Sequence, residues 1–161
     1  HRLDKDTSGL LIISKNKISA KEFGYLFKSK LINKTYLAIC EGTPNQKESF
    51  VNLNIRNKKD KIEETKTSYK TLQNYKGLSI IEYKPLTGKT HQLRLVSKNL
   101  SCPIVGDNKY NKQSRFEKET LKLNAHILEF SFGEKDYKFQ SDLPADFSEF
   151  IKKNNLRYKI K

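Results

Sequence analysis

The pattern of apolar runs and turn signals predicts an α+β fold, a mixed, mainly antiparallel sheet with flanking helices. Strand-like segments outnumber helix-like ones, and the two kinds do not alternate regularly. Lys76-Gly77 also sits between two strand-like segments, as a tight hairpin turn would. No internal repeat or low-complexity stretch divides the 161 residues, a length that suits one domain of roughly 100–200 residues. A chain of this length buries about 70% of its unfolded surface, enough for a core without disulfides or metal.

Taken in order, the turn-like Asp6-Thr7-Ser8-Gly9 leads into the continuous apolar run Leu10–Ile13, which predicts a buried strand. Ile18, Phe23, Leu26 and Phe27 fall at roughly helical spacing, so a helix is expected within Ile18–Leu31 despite Gly24. Thr35–Ile39 reads as the next strand and stops at Gly42-Thr43-Pro44. The charged stretch Asn54–Lys66 reads as a solvated connection or an exposed hairpin. Thr67–Tyr75 and Leu78–Tyr83 then form the antiparallel pair around Lys76-Gly77. Leu93, Val96 and Leu100 give Thr90–Asn99 a helical period. Cys102–Tyr110 is loop, Leu121–Phe132 alternates like a strand, and Asp146–Lys153 reads as a short helix capped by Asp146.

The 32 basic and 18 acidic residues leave a net charge of +14, which steers a chain toward polyanions. Twenty-seven of those basic residues are Lys and five are Arg, a bias that genome composition alone can produce. Charge therefore points to nucleic acid without separating RNA from DNA. Nine Phe and eight Tyr are too many for a disordered tail. No apolar run approaches the ~20 residues of a membrane span, and no signal-peptide segment opens the chain. A membrane or disulfide-stapled secreted protein is excluded on these grounds, and the cytoplasm is the expected location. Cys40 and Cys102 lack CxxC spacing and read as small buried hydrophobes. His1, His91 and His126 show no metal-ligand spacing, so no metal is expected.

Three segments could carry chemistry. Thr87-Gly88-Lys89-Thr90 ends like a phosphate-binding loop, but Tyr83 stands where that motif needs its first glycine and Pro85 has no N–H to offer. A nucleoside triphosphate site is rejected. His1–Leu11 places Asp4 and Asp6 beside Arg2 and Lys5 immediately before an apolar run. Asp6, Thr7, Ser8 and Gly9 read as turn chemistry, with Gly9 supplying an unusual φ. Asp4 has two readings, a structural turn residue or an ionised carboxylate held beside cations as a nucleophile. His91 and Arg94 are three residues apart and share one helix face. That face is either an ordinary polar surface or one that aims Arg94 at an anion in the interior. Hydrolysis by a carboxylate pair lacks a second carboxylate at suggestive spacing.

His1–Leu11 (HRLDKDTSGLL) resembles the HRLDxxTSGLL signature of the RluA-type RNA pseudouridine synthases. Four further segments follow in the same order. Lys34–Ala38 with Glu41-Gly42 is similar to the family's KxYxA…G, and Thr87–Arg94 is similar to its TGRTHQIR. Pro103–Asp107 with Tyr110 resembles PIxGDxxY, and Ala125, Leu128 and Phe130 keep the spacing of AxxLxF. The resemblance implies a pseudouridine synthase catalytic domain over residues 1–161, isomerising uridines in structured RNA. Ribosomal RNA of the large subunit is the first substrate expected and transfer RNA the second. No cofactor is implied. Asp4 would be the nucleophile, attacking at uracil C6 or at C1′. Tyr36 would pack on the flipped base and help remove the C5 proton, and Arg94 would pair with Asp4. Arg2 would fill the gap left in the RNA stack, Lys89 would contact phosphate, and His91 would orient or contact RNA.

The chain departs from the pattern in four places. Lys89 stands for the usual Arg, Arg94-Leu95-Val96 for RVH, and Asn124 for the His that commonly precedes the last-strand Ala. The strand and KPxG-type motif that usually precede the catalytic loop do not appear. The chain is thus expected to start inside a longer protein, with a sheet edge or pocket wall open beside Asp4. A non-catalytic RNA-binding fragment is the alternative reading.

Overall fold

The computed structural model describes residues 1–158, so the last three residues of the expected domain lie outside the described residues. In chain order the elements are β1 (Ser8–Gly9), α1 (Lys17–Lys28), β2 (Asn33–Glu41), β3 (Glu48–Arg56), β4 (Ile62–Tyr75) and β5 (Leu78–Pro85). They continue with α2 (Gln92–Asn99), β6 (Leu123–Phe132), β7 (Lys135–Gln140) and α3 (Ala145–Lys153). The sheet runs β1-β6-β2-β5-β4-β3, with β7 also on β6. Only the β1–β6 pair is parallel among these ladders, so the expected mixed, mainly antiparallel α+β fold is what forms.

The sheet's centre is buried on both faces, which explains why its strands read as continuous apolar runs. On β2, Leu37 and Ile39 face α3 and pack with Leu78, Ile80, Phe147 and Phe150. Ala38 and Cys40 face α2 and pack with Ile81, Tyr83, Leu93 and Val96. Strand alternation thus gives every second residue to each core. Both cysteines are free and buried, as their spacing suggested. Lys76 (φ 48°) and Gly77 (φ 76°) both adopt positive φ between β4 and β5, as a two-residue type I′ turn demands.

Four local expectations change. Leu10–Ile13 is not a buried strand: pairing stops at Gly9, and Leu11 and Ile13 are 47% and 78% exposed. The segment leaves the sheet beyond Leu10 and runs toward α1, so its apolar residues gain no partner strand among the described residues. Asn54–Lys66 forms the exposed hairpin, one of its two readings, with the ends of β3 and β4 joined by an exposed tip at residues 57–61, but the strand β3 that leads into it is not among the expected elements. The polar residues Glu48, Asn52 and Asn54 obscured β3, whose Val51, Leu53 and Ile55 alternate inward. β7 escaped notice for the same reason, being charged on its outer side while Tyr137 stacks on Phe130. Pro144, not Asp146, stands at the N-cap of α3. Asp146 sits in the first turn, where its carboxylate accepts from Thr120 and from the fully buried Lys122 ammonium.

Helix α1 opens on Asn16, whose side chain accepts from the Ser19 amide at 2.9 Å, yet none of its residues is buried. Phe23 holds it against Phe130 and Phe132, and Phe27 stacks on His1 at 4.6 Å. The helix therefore packs on the end of β6, next to the amino-terminal segment.

Candidate active site

The first ten residues meet the sheet through a two-residue parallel ladder. Ser8 and Gly9 pair with Asn124 and Ala125, and the Leu10 amide donates to the Ala125 carbonyl at 2.9 Å. Fully buried Asn124 donates to the Ser8 hydroxyl at 2.9 Å and accepts from Ser141, so β6 grips the segment from inside. Gly9 has φ +105°, and a β-carbon there would overlap the Ala125 backbone. Glycine is required twice, for the dihedral and for the close approach. Gly9→Ala is expected to cost about 1–3 kcal/mol of stability and to displace the residues ahead of it. Urea denaturation checks this, and an unchanged midpoint would show that the backbone contact is dispensable.

Pinned at residues 8–10, the chain closes a turn in which the Thr7 amide donates to the Asp4 carbonyl at 3.0 Å. Asp6, expected among the turn-forming side chains, is exposed and makes no side-chain hydrogen bond among the described residues. Asp4 instead lines a cavity of about 490 Å³, with Leu3, Lys34, Tyr36, Thr87 and Leu123 in its wall. That volume lies in the range of roughly 300–1,000 Å³ typical of small-molecule sites, and its wall combines apolar side chains with Asp4 and several cations. Arg2 also lines it while remaining exposed.

Helix α2 brings two groups to Asp4. His91 sits at its N-cap with φ 55°, a left-handed conformation that turns the chain from the Thr87–Thr90 loop into the helix. Its Nε2 lies 3.9 Å from Asp4 Oδ1, while Nδ1 is 2.9 Å from the Tyr110 hydroxyl. Burial pushes the His91 pKa below its usual value, so the ring is neutral near pH 7. The hydroxyl can donate or accept here; in the tautomer where Tyr110 donates to Nδ1, the ring proton is on Nε2, the nitrogen facing Asp4.

Arg94 faces the interior, which settles the choice left open for its helix face. Its Nη1 is 3.9 Å from Asp4 Oδ2, within ion-pair range but beyond hydrogen-bond reach. Its hydrogen bonds go elsewhere: Nε and Nη2 form a fork on Asp107 at 2.8 and 2.7 Å. Those bonds raise the Arg94 pKa further, and the Tyr110 ring lies 5.1 Å from the guanidinium carbon. Asp107 is itself fixed, accepting from the Lys109 and Tyr110 amides at 3.1 and 3.0 Å. The expected pairing of Arg94 with Asp4 is therefore a second contact, made by a guanidinium already oriented by another carboxylate.

Tyr36 enters from β2, alternating onto the α2 side with Ala38 and Cys40. Burial first, and then the Asp4 charge, push its phenol up to about 12, so it is protonated at any ordinary pH. Lys89 lines the cavity but its ammonium is bound to Glu63 at 3.0 Å. That hydrogen bond holds the Glu63 carboxyl below the usual range. Lys89 thus reaches a phosphate only by sharing or releasing Glu63.

Asp107, Tyr110 and Gln92 are the site residues that sequence reasoning missed. Gln92 is buried and braces the Thr87–Lys89 loop, accepting from the Thr87 hydroxyl and the Lys89 amide at 2.8 and 3.0 Å. Its amide donates to the Thr67 hydroxyl at 2.9 Å and ties that loop to β4. The Pro103–Tyr110 motif contained the signal for Asp107 and Tyr110, but spacing within a loop does not reveal which side chain meets Arg94.

Comparison with known proteins adds to this geometry. Residues 1–99 match the family described as RNA pseudouridylate synthase. The ribosomal large subunit pseudouridine synthase D of Borreliella burgdorferi is 39% identical, over 94% of this chain and 50% of that protein. The ribosomal large subunit pseudouridine synthase C of Rickettsia bellii is 39% identical, over 92% of this chain and 54% of that protein. The chain thus spans about half the length of these curated relatives. Among solved structures, human RNA Pseudouridylate Synthase Domain Containing 4 superposes with a TM-score of 0.86 at 26% identity, over 98% of this chain and 76% of that one.

Proposed function

The chain belongs to the RNA pseudouridylate synthase family, and from that membership we propose that it isomerises uridine to pseudouridine in structured RNA. Large-subunit ribosomal RNA is the substrate class we infer, because the curated relatives quoted above carry that RNA in their names. The observation that carries the reading is Asp4 in the wall of a half-open cavity, facing a neutral imidazole and an oriented guanidinium, with Tyr36 beside it.

Asp4 is the proposed nucleophile, adding at uracil C6 or at C1′. Its attack accompanies cleavage of the N1–C1′ bond, after which the base rotates, a C5–C1′ bond forms and the bond to Asp4 breaks, returning the free carboxylate. The C5 proton leaves and N1 gains one, so the reaction is redox-neutral and calls for no electron or group carrier. The detached uracil must be kept from solvent, a task suited to the Leu3, Tyr36 and Leu123 walls. Reaching the base requires flipping it from its stack at a cost of a few kcal/mol, which favours loops over stable helices. Tyr36, as a neutral phenol, packs on the ring and can take the C5 proton only by passing on its own. Asp4, whose charge its pKa senses, is the proposed acceptor. Arg2 is proposed to fill the stack, and Lys89 and His91 to contact the RNA.

Large-subunit ribosomal RNA transcribed with [5-³H]uridine tests the reading, since loss of the C5 proton releases tritium. Release by this chain is the expected result. Salt-sensitive binding without release would instead identify a non-catalytic RNA-binding fragment.

A further inference from the structure

Lys34 is the one cation of the cavity that is half-buried with no carboxylate within 4 Å among the described residues. Of the other lining cations, Lys89 is bound to Glu63, whereas Arg2, Lys28 and Lys30 are exposed. Lys34 lines the cavity two residues ahead of Tyr36 on β2, so both side chains leave the strand on the same side. Its Nζ lies 3.7 Å from where a β-carbon on Gly88 would stand, so the ammonium packs against a loop position that has no side chain. Burial without a counter-charge lowers its pKa. A desolvated cation facing a cavity is compensated once the cavity holds an anion. Along a strand, the Cα atoms of residues two apart are separated by about 6.6 Å, so Lys34 and Tyr36 are neighbours in the same cavity wall.

We propose, resting on the function inferred above, that Lys34 binds a backbone phosphate of the flipped nucleotide, fixing its base between Asp4 and Tyr36. Three observations carry the assignment: the position of Lys34 in the cavity wall, its distance from Gly88 and its lack of a carboxylate partner. The phosphate supplies the missing counter-charge, and the bare Gly88 leaves room for the RNA backbone to approach. Lys34 is therefore a binding and positioning residue, while the reacting atoms are met by Asp4 and Tyr36.

The test compares the parent, Lys34→Gln and Lys34→Arg in binding and turnover of the same labelled ribosomal RNA. Losing one phosphate contact should flatten the slope of log K against log salt by about 0.7, the single-strand value, equivalent to about a 5-fold weaker Kd near 0.1 M salt. We expect that change in Lys34→Gln, with kcat/KM falling in step, and recovery of both in Lys34→Arg. The melting temperature of Lys34→Gln should equal or exceed the parent's, because a desolvated charge has been removed. A Lys34→Gln protein with the parent's Kd and salt slope overturns the assignment. So does one whose kcat alone falls, or one that melts lower with an unaltered slope. An active parent with any of these outcomes sinks this inference and spares the proposed function. A parent that binds but releases no tritium sinks the function, while the salt slopes still judge the phosphate contact. A parent that neither binds nor reacts removes both.

Discussion

Asp4→Asn is expected to abolish tritium release from labelled RNA while leaving RNA affinity within about twofold, because phosphate contacts by Lys and Arg dominate binding. The substitution keeps size and removes the charge and the nucleophilic oxygen, so a loss of at least about 10⁴-fold in turnover is anticipated for a group that forms the covalent bond. Stability should barely change. Asp4 accepts no hydrogen bond from Arg94, whose fork is occupied by Asp107. Single-turnover assays at saturating enzyme separate chemistry from binding. Residual release within tenfold of the parent would transfer the nucleophile's role to another residue and remove the proposed mechanism.

Arg94→Ala is expected to lower both activity and stability, and the stability loss should come from Asp107 more than from Asp4. The Asp107 side chain is 0% exposed and the Arg94 side chain only 11%. Removing one member of such a pair strands the other carboxylate, at a cost of about 3–5 kcal/mol. For a domain of this size that corresponds to a fall of roughly 10 °C in melting temperature. Arg94→Lys should recover little of it, since an ammonium cannot form the two-pronged bond. A double-mutant cycle in urea denaturation decides between the carboxylates. Coupling of about 0.5–3 kcal/mol between Arg94→Ala and Asp107→Ala is expected, with near-additivity between Arg94→Ala and Asp4→Asn. The reverse pattern would show that Asp4 is the principal partner after all.

Features encoded within a few consecutive residues are legible in the amino-acid sequence alone. The Lys76-Gly77 hairpin, the positive φ of Gly9 and the amphipathic period of α2 depend on local dihedral preference and on spacing along one element. Five ordered motifs are enough to bring Asp4, Tyr36, His91 and Arg94 into one candidate site, and His91, Arg94 and Tyr36 do gather around Asp4. Apolar content misleads where tertiary context is absent. Leu10–Ile13 has the composition of a buried strand, but β1 ends at Gly9, at the edge of the described sheet, and Leu11 and Ile13 stay exposed. The polar β3 and β7 hide in the opposite way, because only half of each strand's residues face anything apolar.

By itself, then, the sequence determined the fold class, the family-like motifs and the identity of the charged groups available for chemistry. Only the tertiary structure decided which of them meet. Arg94 faces a choice between Asp4 and Asp107, Lys89 is drawn to Glu63, and Lys34 is left without a carboxylate partner among the described residues. The physical reason is range. Dihedral preferences and periodicity act between neighbours, whereas an ion pair between residues 13 or 26 positions apart is chosen by how the fold packs α2 and the loop before it against β4 and the 103–110 loop.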